Sequence, residues 1–184
     1  MAVLVAAVVV VGAVALANLV FTFGVVRRLR EHTELLNRLG EGGLSGRNLL
    51  GPGRQAGPYT ATAVDGTRVS GDGPDSPTLV GFFSLGCEPC TVKRPLFADA
   101  AREHPGGRDR VLAVVVGDDG DGDVSAYLDE LTPVSRVVRE LPTGELPTAF
   151  RVDAYPAFAL VDADGTVLAS GSAVPDATAI GTQV

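Results

Sequence analysis

The sequence has few of the residues that build metal sites and disulfide frameworks. It contains no tryptophan, one methionine, two histidines and two cysteines in 184 residues. Two cysteines cannot form a disulfide framework, so stability must come from an ordinary hydrophobic core. His32 and His104 are far apart in sequence, and no Cys/His cluster has the spacing of a zinc site. We therefore expect no metal and no organic cofactor.

Basic residues are also scarce. Lys93 is the only lysine, and the formal net charge is −7, with an isoelectric point near 4.7. A nucleic-acid-binding protein needs a basic surface, so this balance argues against nucleic acid as a partner. The length suggests one domain, with enough additional chain for an anchor.

The first 40 residues have the pattern of a membrane anchor. Residues 2–26 carry no charge and, as a helix, would reach about 37 Å, which is enough to cross a bilayer. A cleaved signal peptide is the alternative, because Ala15-Leu-Ala17 resembles a processing site. However, no Lys or Arg precedes the apolar run, and the run continues beyond Ala17. We predict a transmembrane helix with a juxtamembrane extension over residues 1–40, and the lipid bilayer as a partner.

The rest of the chain is predicted to be a linker followed by one α/β domain. Residues 41–57 are rich in glycine and proline, which predicts a flexible linker. In the domain, residues 58–184, a hairpin with an Asp65-Gly66 turn precedes alternating strands and helices. That order predicts a sheet covered by helices on both faces. The acidic stretch 117–123 lacks the spacing of an EF-hand loop, so we interpret it as a solvated turn, with Asp123 as a helix N-cap.

The two cysteines form the motif Cys87-Glu88-Pro89-Cys90, directly after an apolar strand at residues 78–85 and at the start of a predicted helix over 88–104. A strand followed by Cys-x-x-Cys at a helix start is typical of a redox site. Backbone N–H groups at a helix N-terminus stabilise a thiolate, so Cys87 is predicted to be the nucleophile. Cys90, one turn inside, is predicted to be the buried resolving thiol. Pro89 is acceptable in the first turn, and Glu88 and Pro89, between the cysteines, are predicted to tune Cys87.

These residues, together with Pro95 five positions after Cys90, resemble the thioredoxin superfamily. Within it, the Glu-Pro dipeptide is similar to that of the membrane-tethered thiol-disulfide reductases (the TlpA/ResA-like branch) and of the thioredoxin-like proteins that mature methylamine dehydrogenase. The resemblance implies a thioredoxin-like fold with a central mixed sheet, and a role in cytochrome c maturation or a related process. Two positions depart from it. Gly86 replaces the usual tryptophan, and Gly81 replaces a buried aspartate, which leaves the proton acceptor for Cys90 unidentified.

A second part of the site is implied by the resemblance alone. Pro156 opens a strand, as does the proline that is cis and faces the Cys-x-x-Cys motif in thioredoxin-like proteins. In those proteins the backbone of the preceding residue pairs with a bound substrate strand. That residue is Tyr155 here, which is bulkier than usual. Tyr155 and Pro156 are therefore predicted to bind substrate.

Together these features predict a membrane-anchored thiol-disulfide oxidoreductase that reduces protein disulfides. Its expected partners are a disulfide-containing protein substrate and an upstream, membrane-bound thiol reductant. The negative charge of Glu88 opposes the Cys87 thiolate, and strong oxidants stabilise theirs, so a reductase is favoured. Two alternatives stay open: a non-catalytic adaptor with a static disulfide, and a metallochaperone that binds a soft ion through both thiolates.

The side of the membrane is predicted differently by two arguments. Arg27, Arg28 and Arg30 follow the apolar run closely, so the positive-inside rule places the redox domain in the cytoplasm. The resemblance points to the opposite side, where protein disulfides form and persist. We favour the extracytoplasmic side.

Overall fold

The computed structural model describes residues 48–71, 77–118 and 120–176, together with Met1, Leu4, Val5 and Gly12. Among these, no helix is long and apolar enough to cross a membrane. The predicted anchor and its juxtamembrane extension lie almost entirely outside the described residues. The chain divides into two units, Met1–Gly43 and Leu44–Val184.

The second unit contains a hairpin and a five-stranded mixed sheet. The hairpin consists of β1 (Thr60–Thr62) and β2 (Arg68–Ser70). It is followed by β3 (Thr78–Ser84), α1 (Glu88–Glu103), a 3-10 turn (Arg108–Arg110), β4 (Val111–Val116), α2 (Ser125–Leu131), β5 (Arg136–Glu140), α3 (Glu145–Ala149), β6 (Ala157–Val161) and β7 (Val167–Gly171). The strand order is β5-β4-β3-β6-β7. Strands β4 and β5 run parallel to β3, whereas β6 and β7 are antiparallel to their neighbours. The predicted α/β fold with a hairpin before the core is confirmed.

One face of the sheet is covered by the two longer helices. Phe97, Ala98 and Ala101 of α1 and Tyr127 and Leu131 of α2 are buried there against apolar side chains of every central strand. The continuous apolar run of β4 is buried along its whole length, as expected for a parallel strand between two layers. This helical layer fixes α1 against the end of β3, and so fixes the position of the motif between them.

The other face is covered mainly by the hairpin and the chain before it. Leu49, Leu50 and Val69 are buried there, together with Leu146 and Phe150 of the short α3 region. Helices therefore lie on both faces of the sheet, but most of this face is covered by the hairpin and by the chain that precedes it. The Asp-Gly turn forms as predicted, with Gly66 at φ 85° and the Asp65 carboxylate accepting the Thr67 N–H at 2.9 Å.

Part of the segment that composition predicts to be a flexible linker is docked on this domain. Gly53 N–H donates to the Val167 carbonyl and Val167 N–H donates to the Arg54 carbonyl, at 2.8 and 2.9 Å. The segment thus forms an isolated antiparallel bridge, Gln55 to Thr166, at the start of β7. Leu49 is 2% exposed. Local composition does not reveal these bonds, because backbone groups make them.

The prediction for Asp123 was wrong in detail. Helix α2 begins at Ser125, and Val124 rather than Asp123 occupies the N-cap position. The Asp123 carboxylate, one position earlier, accepts the N–H of Ser125, the first residue of the helix, at 2.8 Å. Hydrogen bonding with the Ser125 side chain, and then with the Ser125 backbone N–H, lowers the pKa of Asp123.

Candidate active site

Cys87 lies where strand β3 passes into helix α1. Leu85 and Gly86 form the connecting turn, and Cys87 occupies the N-cap position with extended backbone angles. The Cys90 N–H donates to Cys87 Sγ at 3.2 Å, so the sulfur acts as the cap of the helix. A sulfur in this position receives the first N–H groups of the helix, which favour its anionic form.

The two cysteines differ in access. They are joined by a disulfide bond, with their Cα atoms 5.2 Å apart. Cys90 is fully buried against the helical layer, and the Ser84 N–H points at its Sγ at 3.5 Å. Cys87 is only half-buried. A macromolecular partner can therefore reach Cys87 but not Cys90.

Tyr155 and Pro156 lie beside this disulfide. The Tyr155–Pro156 peptide bond is cis, as the resemblance implies, and the Tyr155 carbonyl oxygen lies 3.8 Å from Cys87 Sγ. The Tyr155 side chain is half-buried between the two core layers, and this burial raises the pKa of its hydroxyl. Pro156 is buried. The structure thus brings together the four residues Cys87, Cys90, Tyr155 and Pro156, while their roles stay predictions.

Glu88 and Pro89 are exposed in the first turn of α1. Their predicted influence on Cys87 also stays a prediction. Helix α1 continues past Pro95 to Glu103.

Both glycines that depart from the thioredoxin pattern are tightly packed. A Cβ at Gly86 would lie 2.9 Å from the Asp121 carbonyl oxygen, and Gly86 has a φ of 71°. The acidic loop is therefore packed against the residue that precedes Cys87. A Cβ at Gly81 would lie 2.6 Å from the Phe97 ring. No larger side chain fits at either position without displacement of its neighbour.

Two residues near the site were missed by sequence reasoning. The Asn48 amide donates to the Pro156 carbonyl at 3.5 Å, and the Asn48 carbonyl accepts the Asp153 N–H at 2.9 Å. Asn48 thus contacts both ends of the loop from Asp153 to Pro156. It falls in the predicted linker, and no sequence signal marks it.

The second missed residue is Tyr127 of α2. Its hydroxyl donates to the Ser84 carbonyl at 3.4 Å, and its ring faces the Arg94 guanidinium, 4.6 Å from the ring centroid. Arg94 in turn forms an ion pair with Glu130. These contacts fix the end of β3, where the Ser84 N–H donates to Cys90 Sγ.

Residues 48–71, 77–118 and 120–176 contain no group of three or more His, Cys, Asp or Glu side chains that could hold a metal ion.

The strand order, the helical layer and the cis-proline beside Cys-x-x-Cys define a thioredoxin-like fold. Solved structures with this fold include a thiol:disulfide interchange protein from a Bacteroides species, with a TM-score of 0.56 at 19% identity over 72% of this chain and 90% of that one. The thioredoxin domain of a thiol-disulfide oxidoreductase from Bacteroides vulgatus gives 0.55 at 18% identity, over 72% and 96%. The exposed lipoprotein thioredoxin of Streptococcus pneumoniae gives 0.51 at 22%, over 67% and 94%. No protein-family model and no curated protein matches the chain.

Proposed function

We propose that this protein is a membrane-anchored thiol-disulfide oxidoreductase that reduces disulfide bonds in proteins. One observation carries the proposal: a half-buried Cys87 caps helix α1 next to the Tyr155 carbonyl, and its disulfide partner Cys90 is fully buried. An accessible attacking sulfur joined to a protected one is the arrangement that thiol-disulfide exchange requires.

The reaction follows from this difference in access. The Cys87 thiolate attacks one sulfur of the substrate disulfide, which forms a mixed disulfide and releases the other substrate sulfur as a thiolate. Cys90 then loses its proton and attacks Cys87 Sγ, so the mixed disulfide breaks and the second substrate thiolate leaves. Two electrons pass to the substrate, and the protein is left with the Cys87–Cys90 disulfide seen here. An upstream thiol reductant returns it to the dithiol form.

The substrate is expected to bind as an extended segment. The Tyr155 carbonyl lies beside Cys87, so a substrate strand that hydrogen-bonds to the backbone of Tyr155 would present its sulfur to Cys87. Because the Tyr155 side chain is half-buried in the core, its backbone is held in place for this pairing.

The direction of electron flow is inferred from Glu88. Its carboxylate is exposed in the first turn beside Cys87, where a negative charge opposes the thiolate. Strong oxidants stabilise their reduced thiolate, so this arrangement favours a reductase.

The roles of the two cysteines can be tested by trapping. Cys90→Ser leaves the Cys87 nucleophile but removes the thiol that resolves the mixed disulfide, so it should accumulate a covalent complex with the natural substrate. Cys87→Ser should trap nothing, because Cys90 is buried. Non-reducing gels followed by mass spectrometry would detect the complex and identify the substrate. Equal trapping by both variants, or by neither, would contradict the assigned roles.

A redox titration tests the two alternative functions. A disulfide that resists reduction would favour a non-catalytic adaptor, and stoichiometric binding of Cu(I) would favour a metallochaperone.

We place the redox domain outside the cytoplasm. Protein disulfides form and persist there, and the neighbour from Streptococcus pneumoniae is described as an exposed lipoprotein. The arginines after residue 26 argue for the opposite orientation. After mild reduction, a membrane-impermeant maleimide should label Cys87 in intact cells. Labelling that requires broken cells would place the domain in the cytoplasm.

A further inference from the structure

A cavity of about 550 Å³ lies between the hairpin and the starting ends of strands β3, β4 and β5. Thr78, the first residue of β3, lines it, whereas Cys87 follows the last residue of the same strand. Seven strand residues at about 3.3 Å each separate the two by roughly 20 Å. The cavity is therefore distinct from the redox site.

Three arginines line this cavity: Arg68 from the hairpin, Arg110 from the turn before β4 and Arg136 from the start of β5. Arg136 pairs in register with Leu112, so both side chains leave the sheet on the face that the hairpin covers. Arg110 is 9% exposed. Two strands and one turn thus bring guanidinium groups to the lining of one partly enclosed space.

Arg136 has an unsatisfied donor in this space. Its Nε atom is inaccessible to solvent and has no hydrogen-bond partner, and within the described part of the chain no ion pair involves Arg136 or Arg68. Buried donors in native proteins are nearly always hydrogen-bonded. The Nε–H is itself closed to a bound anion, but the terminal N–H groups of the half-buried Arg136 are not among the inaccessible atoms. A guanidinium is suited to bind a carboxylate or phosphate through two parallel hydrogen bonds.

The carboxylates at the rim of the cavity do not meet this need. Asp109, Asp162 and Asp164 line it and are all exposed. Asp162 accepts the N–H of Ala163 at 2.7 Å, and Asp164 accepts the N–H of Thr166 at 2.9 Å. The Asp162 and Asp164 carboxylates are thus used within the β6–β7 turn, and Asp109, in the turn before β4, forms none of the ion pairs in the described part of the chain.

We propose that this cavity binds a small organic anion that carries two or more phosphate or carboxylate groups. One oxyanion is held by Arg136 at the start of β5, and a second meets Arg68 on the hairpin. The volume lies in the range of about 300–1,000 Å³ that is usual for small-molecule sites. It is larger than a single inorganic ion requires.

The proposal can be tested with pyrophosphate and citrate as probes. Each is titrated into the detergent-solubilised full chain, and binding is measured by calorimetry. Each should be tried at low and at physiological ionic strength. At least one should bind saturably with one site per chain. Arg136→Gln and Arg68→Gln should each weaken that binding at least tenfold. Arg139→Gln is the matched control, because Arg139 is exposed on the same strand but does not line the cavity, and it should change the affinity less than twofold.

Three results would overturn the proposal: no saturable binding of either probe, unchanged binding in both cavity variants, or an equal loss in Arg139→Gln, which would indicate general charge attraction. Arg68 is exposed, so Arg68→Gln decides the matter even if Arg136→Gln fails to fold. Disulfide reduction by the cavity variants should equal that of the wild type, so this test and the trapping experiment can fail independently.

Discussion

Replacement of Gly81 by alanine should destabilise the domain through a steric clash with Phe97. Gly81 lies in the middle of β3, opposite Phe158 of β6. The Phe97 ring lies over it, stacked on the Phe158 ring at 5.8 Å between centroids. A Cβ at residue 81 would stand 2.6 Å from one carbon of the Phe97 ring and 2.9 Å from the next. Contacts this short force the ring or the strand to move.

The size of the effect follows from two opposing contributions. Overpacking in a well-packed core costs about 1–3 kcal/mol. Glycine-to-alanine replacement at an unstrained position stabilises by about 0.4–1 kcal/mol, because it restricts the unfolded chain. Phe97 is fully buried and also makes an edge contact with Phe83, so it has little room to move and the clash should dominate. We expect a net loss of about 1–2 kcal/mol in the free energy of unfolding.

Urea denaturation of the oxidised protein, followed by far-ultraviolet circular dichroism, would measure this loss. Gly51→Ala is the matched control, because a Cβ there meets nothing within 4 Å, and it should be neutral or slightly stabilising. Phe97→Leu should reduce the cost of Gly81→Ala, since the smaller side chain leaves space for the new methyl group. If Gly81→Ala matched Gly51→Ala in stability, or if its cost were the same with leucine at residue 97, the steric argument would be refuted.

Two further predictions concern stability. Leu49→Ala should lower the free energy of unfolding by about 2–5 kcal/mol, since Leu49 is buried. Leu141→Ala is the control, because Leu141 is half-exposed, and it should cost far less. Equal costs in urea titrations would contradict the docking of the Leu49 side chain in the core. Burial, and then the charge of Arg110, lower the pKa of His104 below 6.5, and its Nδ1 accepts the Gly106 N–H at 3.2 Å. The unfolded chain therefore takes up this proton first, so stability should fall as the pH drops below about 6.5, and thermal melts of His104→Gln should show a smaller fall.

The local parts of the site could be predicted from the sequence. An apolar strand, a Cys-x-x-Cys motif and a proline in the first turn are neighbours along the chain, so their order alone predicts a sulfur at a helix N-terminus. The structure has this arrangement, with Cys87 as the cap of α1. The placement of Pro156 beside it required the resemblance, because no local pattern relates two segments that lie more than 60 residues apart.

The contacts that could not be predicted are those made by backbone groups or by the absence of a side chain. The segment around Leu49 has the composition of a linker, yet its N–H and carbonyl groups pair with β7 and with the end of α3. Nothing in the residue types records such bonds. The Asn48 side-chain amide donates to the carbonyl of Pro156, and no local pattern relates two residues that lie 108 positions apart.

The close packing of Phe97 on Gly81 affects how the Cys90 proton can be removed. In the thioredoxin pattern an aspartate at this position accepts the proton of the buried cysteine. Here the Phe97 ring fills the space above Gly81, and the polar group that contacts Cys90 Sγ from β3 is the Ser84 N–H, a donor. A donor can stabilise a Cys90 thiolate but cannot receive its proton. In the proposed reaction, the proton released when Cys90 attacks the mixed disulfide therefore leaves by a route that does not pass through position 81.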